Sequence, residues 1–116
     1  MHRQMPVPGH DFTVDAGILD LIVTLNRVPG LRTTLSSCQG GSRYHLDGHV
    51  SIVGEAVPSF VAFIAQQRVP LSVRLSLEVK GYLPQSDLYW QPRHYKSTLR
   101  LAQAFAEKGA QQNVAR

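Results

Sequence analysis

Cysteine is nearly absent: Cys38 is the only one in 116 residues. No internal disulfide can form, and a zinc cage built from thiolates cannot be assembled within one subunit. Long apolar runs are missing too. Nowhere do about 18 apolar residues follow one another, the length a membrane-spanning helix needs. The stretch Met1 to Phe12, with His2, Arg3, Pro6, Pro8 and Gly9, holds no apolar segment of signal-peptide length. These absences predict a cytoplasmic chain with no membrane partner. Charge is sparse, at 17% of residues, which leaves few solvating side chains and predicts a homo-oligomer. Twelve basic against eight acidic residues leave a net +4. That balance leans toward anionic partners, yet no run of Lys and Arg marks a polybasic tract. Neither a Walker-type Gly-Lys-Ser/Thr motif nor a complete Gly-x-Gly-x-x-Gly pattern occurs, and no internal repeat is found.

What is present is an ordinary globular balance, with 43% hydrophobic residues. A chain of this length removes roughly two thirds of its unfolded surface from water, enough for one core. Val14, Ile18, Leu21, Ile22 and Leu25 recur at the spacing of one helical face, with Asp11 or Thr13 as N-cap and Pro29-Gly30 as stop, so a helix is predicted over 14–27. Alternation from Leu31 to Cys38 predicts a strand ending at the Gly40-Gly41 turn. Residues 42–48 read as loop, and His49 to Gly54 as a second strand. Pro58 suits the first turn of a helix over 57–68, which Pro70 forbids from continuing.

From Leu71 to Lys80, apolar and polar residues alternate without a fault, so 71–80 is predicted as a strand with one face in the core. A turn over 81–86, a short strand Leu88 to Trp90 ended or placed at an edge by Pro92, and a helix from Tyr95 to Glu107 stopping at Gly109 complete the chain. The predicted fold class is α+β, in the order α-β-β-α-β-β-α, with helices packed on a mostly antiparallel four-stranded sheet. Residues 1–12 are expected as an N-terminal extension, 13–109 as one domain, and 110–116 as a flexible tail.

Ser36-Ser37-Cys38-Gln39-Gly40-Gly41 offers two hydroxyls, a thiol, an amide and unencumbered backbone N–H groups within six residues. Consecutive amides in glycine turns form concave anion sites, so the loop is a candidate cradle for a phosphate or carboxylate; a tight turn satisfying itself is the alternative. Cys38 as a nucleophile would need His45, His49 or His94 as its base, and no spacing brings one to it. No catalytic set is therefore predicted. His45-x-Asp47-x-His49 would present three ligands on one side of a strand, but Gly48 argues for a turn there, and no metal set is predicted. Arg74 on the polar side of 71–80, with Tyr89, Trp90, Arg93, His94 and Tyr95, combines cations with rings. Such a mixture suits a nucleotide or a single strand, or else an edge at a dimer contact.

Asn26-Arg27-Val28-Pro29-Gly30-Leu31-Arg32-Thr33-Thr34-Leu35-Ser36-Ser37-Cys38-Gln39-Gly40 resembles the signature of the tRNA wybutosine-synthesis methyltransferase family and its small bacterial and phage relatives. There a helix, a short turn and a threonine-containing strand lead into a Ser-x-Cys-x-Gly loop. The resemblance implies that Ser36, Ser37, Cys38 and Gly40 form a ligand-facing loop. The family carries an Arg directly after the loop glycine, where this chain has Gly41 and then Arg43.

These readings converge on non-catalytic binding of a nucleotide-like or phosphorylated small molecule, as in a phage or bacterial protein that sequesters a nucleotide signal. Ser36, Ser37, Cys38, Gln39, Gly40, Gly41 and Arg43 are expected at the anion, and Tyr89 or Trp90 at a base, with His49, Arg74 and His94 also at the site. No cofactor is expected on this reading. The first alternative, implied by the resemblance, is a methyltransferase using S-adenosylmethionine on modified guanosine in tRNA; the second is an RNA-binding module.

Overall fold

The computed structural model describes residues 2–70, 72–80 and 82–114. Two short strands, β1 (Gln4–Pro6) and β2 (Thr13–Asp15), pair antiparallel and lead through a 3-10 turn (Ala16–Ile18) into helix α1 (Leu19–Asn26). Strands β3 (Arg32–Cys38) and β4 (Gly48–Val53) follow, then α2 (Val57–Ala65). Strands β5 (Arg74–Leu75), β6 (Glu78–Lys80) and β7 (Leu83–Trp90) precede a second 3-10 turn (Pro92–His94) and the helix α3 (Tyr95–Val114). The class is α+β. The main sheet is antiparallel throughout, in the order β3-β4-β7-β5, with β6 also on β7. Among the described residues, no helix is long and apolar enough to cross a membrane.

The sheet buries one face. Val50 and Ile52 of β4 and Leu88 and Trp90 of β7 join Ile18, Leu21, Ile22 and Leu25 from the α1 region, Val57, Phe60 and Ile64 of α2 and Ala102 of α3 in a single core cluster. Along β4 and β7 the intervening residues, His49, Ser51, Tyr89 and Asp87, point to the other side. Phe105 of α3 closes edge-on against Phe60, at 5.2 Å between ring centroids. Asn26, at the end of α1, ties helix to sheet: its amide donates to the Thr33 hydroxyl at 2.9 Å and accepts from the Thr33 N–H at 3.1 Å.

Four expectations need correction. Residues 4–15 are not an extension and the start of a helix; they form the β1–β2 hairpin, with Val7 and Val14 in the core, and α1 starts at Leu19. Three-residue strands are too short to show an alternation. At the other end, α3 runs through Gly109 to Val114, so most of the expected tail is helix.

The predicted strand 71–80, of which Leu71 lies outside the described residues, is interrupted. Its register against β7 nevertheless holds across the gap, Arg74 facing Tyr89, Leu75 facing Leu88 and Glu78 facing Gln85. The interruption is chemical. The Ser76 hydroxyl accepts the Asp87 N–H at 3.0 Å and the Ser86 hydroxyl donates to the Ser76 carbonyl, so side chains stand where ladder bonds would form. Leu77, beyond this point, is exposed.

Nor is Leu88 to Trp90 a short edge strand. It is the end of the eight-residue β7, which has β4 on one side and β5 and β6 on the other. Its buried residues Ser86, Leu88 and Trp90 alternate as a central strand's do, and the turn-like composition of Pro84 to Asp87 is overridden by pairing on both sides.

Candidate functional site

Register places four side chains in one row across the uncovered face. Cys38 of β3 faces His49 of β4, His49 faces Tyr89 of β7, and Tyr89 faces Arg74 of β5. The His49 and Tyr89 rings lie 6.0 Å apart, and the Arg74 guanidinium carbon sits 5.3 Å from the Tyr89 ring centre. Aromatic residues and guanidinium groups stack well on one another because the cation meets the electron-rich face of the ring.

Each end of the row opens into a cavity. The first, about 710 Å³, lies beside Cys38 and His49 and is walled by Ser36, Ser42, Tyr44 and His45. A bulge shapes it: Thr34, Leu35 and Ser36 stand opposite the single residue Ser51, which turns Leu35 out to 81% exposure. The second cavity, about 540 Å³, lies beside Arg74 and holds Ser72, Arg93 and His94. Ser72 accepts the Gln91 N–H at 3.3 Å, and the same hydroxyl is hydrogen-bonded to His94 Nδ1 at 2.7 Å. Arg74 also donates to the Asp47 carboxylate at 2.7 Å.

The Ser36 to Gly41 loop is not an amide cradle. The Gln39 N–H donates to Asp15 Oδ2 at 3.0 Å, the Gly40 N–H to Cys38 Sγ at 3.4 Å, the Gly41 N–H to the Leu46 carbonyl at 3.0 Å and the Ser42 N–H to the His45 carbonyl at 3.1 Å. With four successive amides satisfied inside the protein, none is left for an anion. Gln39 is occupied at both ends, its side-chain oxygen accepting the Gly17 N–H at 3.0 Å. Gly40 and Gly41 adopt φ of 78° and 77°. At Gly40 the reason is close approach, since a Cβ would stand 2.5 Å from the Gly48 nitrogen.

Other expected site residues divide cleanly. Ser36 Oγ comes to 3.5 Å from His49 Nε2, and Ser37 and half-buried Cys38 line the first cavity. Arg43 lies exposed over the Tyr44 ring at 5.8 Å. Trp90 must be withdrawn as a stacking platform: it is 0% exposed on the core side, edge-on to Tyr95, while its neighbour Tyr89 faces outward. Asp47 parts from the two histidines it was grouped with. His45 and His49 share the first cavity, with rings 6.2 Å apart, whereas Asp47 lines the second.

No known family, curated protein or solved structure matches this chain. The site therefore has to be read from its own chemistry.

Sequence reasoning missed His2 and Asp15. Asp15, at the end of β2, accepts from His2 Nδ1 at 3.2 Å, from the Gln39 N–H and, through its other oxygen, from the Gln4 side chain. Burial works to raise its pKa. The three hydrogen bonds and the His2 charge outweigh that, and the carboxyl is held below its ordinary range. An imidazole nitrogen of His2, an Asp15 oxygen and Cys38 Sγ all lie within 4.8 Å of one another. No local pattern in the sequence signals this meeting of three separate segments. His49 is pushed down, first by burial and then by the nearby His45, with Asp87 and Asp15 pulling weakly the other way, so its imidazole is neutral at neutral pH.

Proposed function

We propose that the protein is a non-catalytic binding domain for a nucleotide-like, phosphorylated small molecule, laid across the uncovered face of the sheet. The observation that supports this best is the row His49, Tyr89 and Arg74, three flat groups in register on adjacent strands. A base or ribose lies against His49 and Tyr89, and the phosphate lies in the second cavity, where Arg74 and Arg93 supply donors beside the His94 ring. This moves the anion from the Ser36 to Gly41 loop to the far end of the row. Ser36, Ser37 and Cys38 of the loop keep a wall of the first cavity.

A phage or bacterial cytoplasmic protein that withdraws a nucleotide signal fits this reading. So does a homo-oligomer, because Tyr44, at 85% exposure, and Leu35 line the first cavity and leave apolar surface for a second copy to close.

Calorimetry against mononucleotides, cyclic nucleotides and ADP-ribose tests the proposal. The expected result is one site of micromolar order, about −8 kcal/mol. Heat from none of these compounds refutes it. Binding of short RNA whose affinity falls steeply with salt favours the RNA-binding reading instead. Binding of S-adenosylmethionine with methyl transfer to tRNA favours the enzyme.

A further inference from the structure

The geometry points to a mononuclear divalent-metal site, of zinc-like preference, formed by His2 Nδ1, Asp15 Oδ2 and Cys38 Sγ, with its fourth position open to the first cavity. These residues come from the segment before β1, the end of β2 and the end of β3, and only the fold brings them together. Their donor atoms fall within 4.8 Å of one another. Around a tetrahedral zinc ion, with bonds of about 2.0–2.3 Å, neighbouring donors stand roughly 3.3–3.7 Å apart, so small side-chain rotations close the set. One imidazole, one carboxylate and one thiolate form a borderline-soft trio that suits zinc and disfavours magnesium and calcium, which take oxygen donors.

Two features go beyond an ion pair between His2 and Asp15. First, two of the three donors are held in position by backbone. The Gly40 N–H points at Cys38 Sγ and the Gln39 N–H at Asp15 Oδ2, contacts that fix where the sulfur and the carboxylate oxygen stand. Gln4 fixes the other carboxylate oxygen. Such outer contacts orient ligands in metal sites. Two of the four amides the loop withholds from an anion thus position Asp15 and Cys38. Second, all three residues line one cavity together with Ser36, Ser37 and His49. Three protein ligands and a solvent-accessible fourth position are the arrangement of an open zinc site rather than a closed structural one. Metal binding displaces the His2 to Asp15 hydrogen bond and releases the Cys38 proton to solvent.

Cobalt(II) is the probe. Protein carrying a histidine-free tag at its C-terminus, so that His2 keeps its place, is stripped with chelator and titrated with Co²⁺ in the absence of phosphate. The expected spectrum shows a thiolate-to-cobalt charge-transfer band and the visible bands of tetrahedral cobalt, saturating at one equivalent and bleached by Zn²⁺. Cys38→Ser removes the charge-transfer band, and His2→Ala and Asp15→Asn each weaken cobalt binding by at least about 10-fold. Circular dichroism establishes that each variant folds. If Asp15→Asn unfolds, His2→Ala decides, since His2 lies outside the core cluster. Absence of a charge-transfer band overturns the proposal, as does cobalt affinity unchanged in His2→Ala. So do visible bands that survive His2→Ala and vanish in His49→Ala, because they place the metal on His49 instead of His2.

Discussion

Gly48 and Trp90 face each other in register across β4 and β7, with the indole pressed against the glycine. A Cβ on Gly48 would stand 2.5 Å from Trp90 Cζ2, and nearer still to Cε2 and Nε1. The indole is fully buried and packs edge-on against Tyr95, so it has little room to shift. Gly48→Ala is expected to destabilise the fold by roughly 3 kcal/mol or more through overpacking of a rigid buried ring. Denaturant unfolding measures the loss. Trp90 is the single tryptophan, so its emission in the folded variant is also expected to shift to the red.

Asn26 carries a second constraint of this kind. Asn26→Ala removes both bonds to Thr33 and leaves the Thr33 N–H, on a residue 8% exposed, without its acceptor. A loss of about 1–3 kcal/mol is expected. The Thr33 amide should exchange with solvent faster than its neighbours in β4, which hydrogen exchange followed by NMR will show.

Tyr95 predicts the alkaline limit of stability. Burial pushes its phenol pKa up, partly offset by the hydrogen bond its oxygen accepts from the Leu21 N–H at 3.3 Å, with the Asp20 charge adding to the rise. A raised folded pKa means that the folded state holds the proton more tightly. The associated stability is fully present below the unfolded tyrosine value, about 10, and is lost as pH rises through the folded value. Wild-type melting temperature is expected to fall more steeply above about pH 10 than that of Tyr95→Phe. Equal slopes would show that Tyr95 does not set this limit.

Arg74 separates charge from shape at the proposed ligand platform. Arg74→Ala is expected to weaken nucleotide binding by about 10-fold or more, about 1.4 kcal/mol. Arg74→Lys recovers only part of this, since an ammonium keeps the charge but loses the plane that lies over Tyr89. Calorimetry is the appropriate readout. Trp90 points away from this face, so its emission is expected to stay unchanged on binding.

Much of the fold was legible where one local rule acts alone. Pro58 in the first turn and the buried trio Val57, Phe60 and Ile64 mark α2, and alternation followed by a glycine turn marks β3. Legibility failed where side chains compete with the backbone or tertiary pairing overrides composition. Ser76 takes a ladder bond from the most regular strand in the chain, while Pro84, Ser86 and Asp87 read as a turn inside its central strand. At the site, the residue types around Cys38 were visible, but their roles depend on distance in space. The amides of Gln39 and Gly40 meet acceptors, Asp47 turns to Arg74, and His2 and Asp15 arrive from a hairpin that leaves no periodic trace.

The bulge at Thr34 to Ser36 and the break at Ser76 fall on opposite margins of the main sheet, β3 at one side and β5 with β6 at the other. Neither margin therefore offers a long straight strand for a second molecule to extend. Irregular margins of this kind guard against runaway stacking of sheets into fibrils. A chain with few charges to keep copies apart is protected by its backbone geometry instead, and copies that associate must do so through side-chain surfaces.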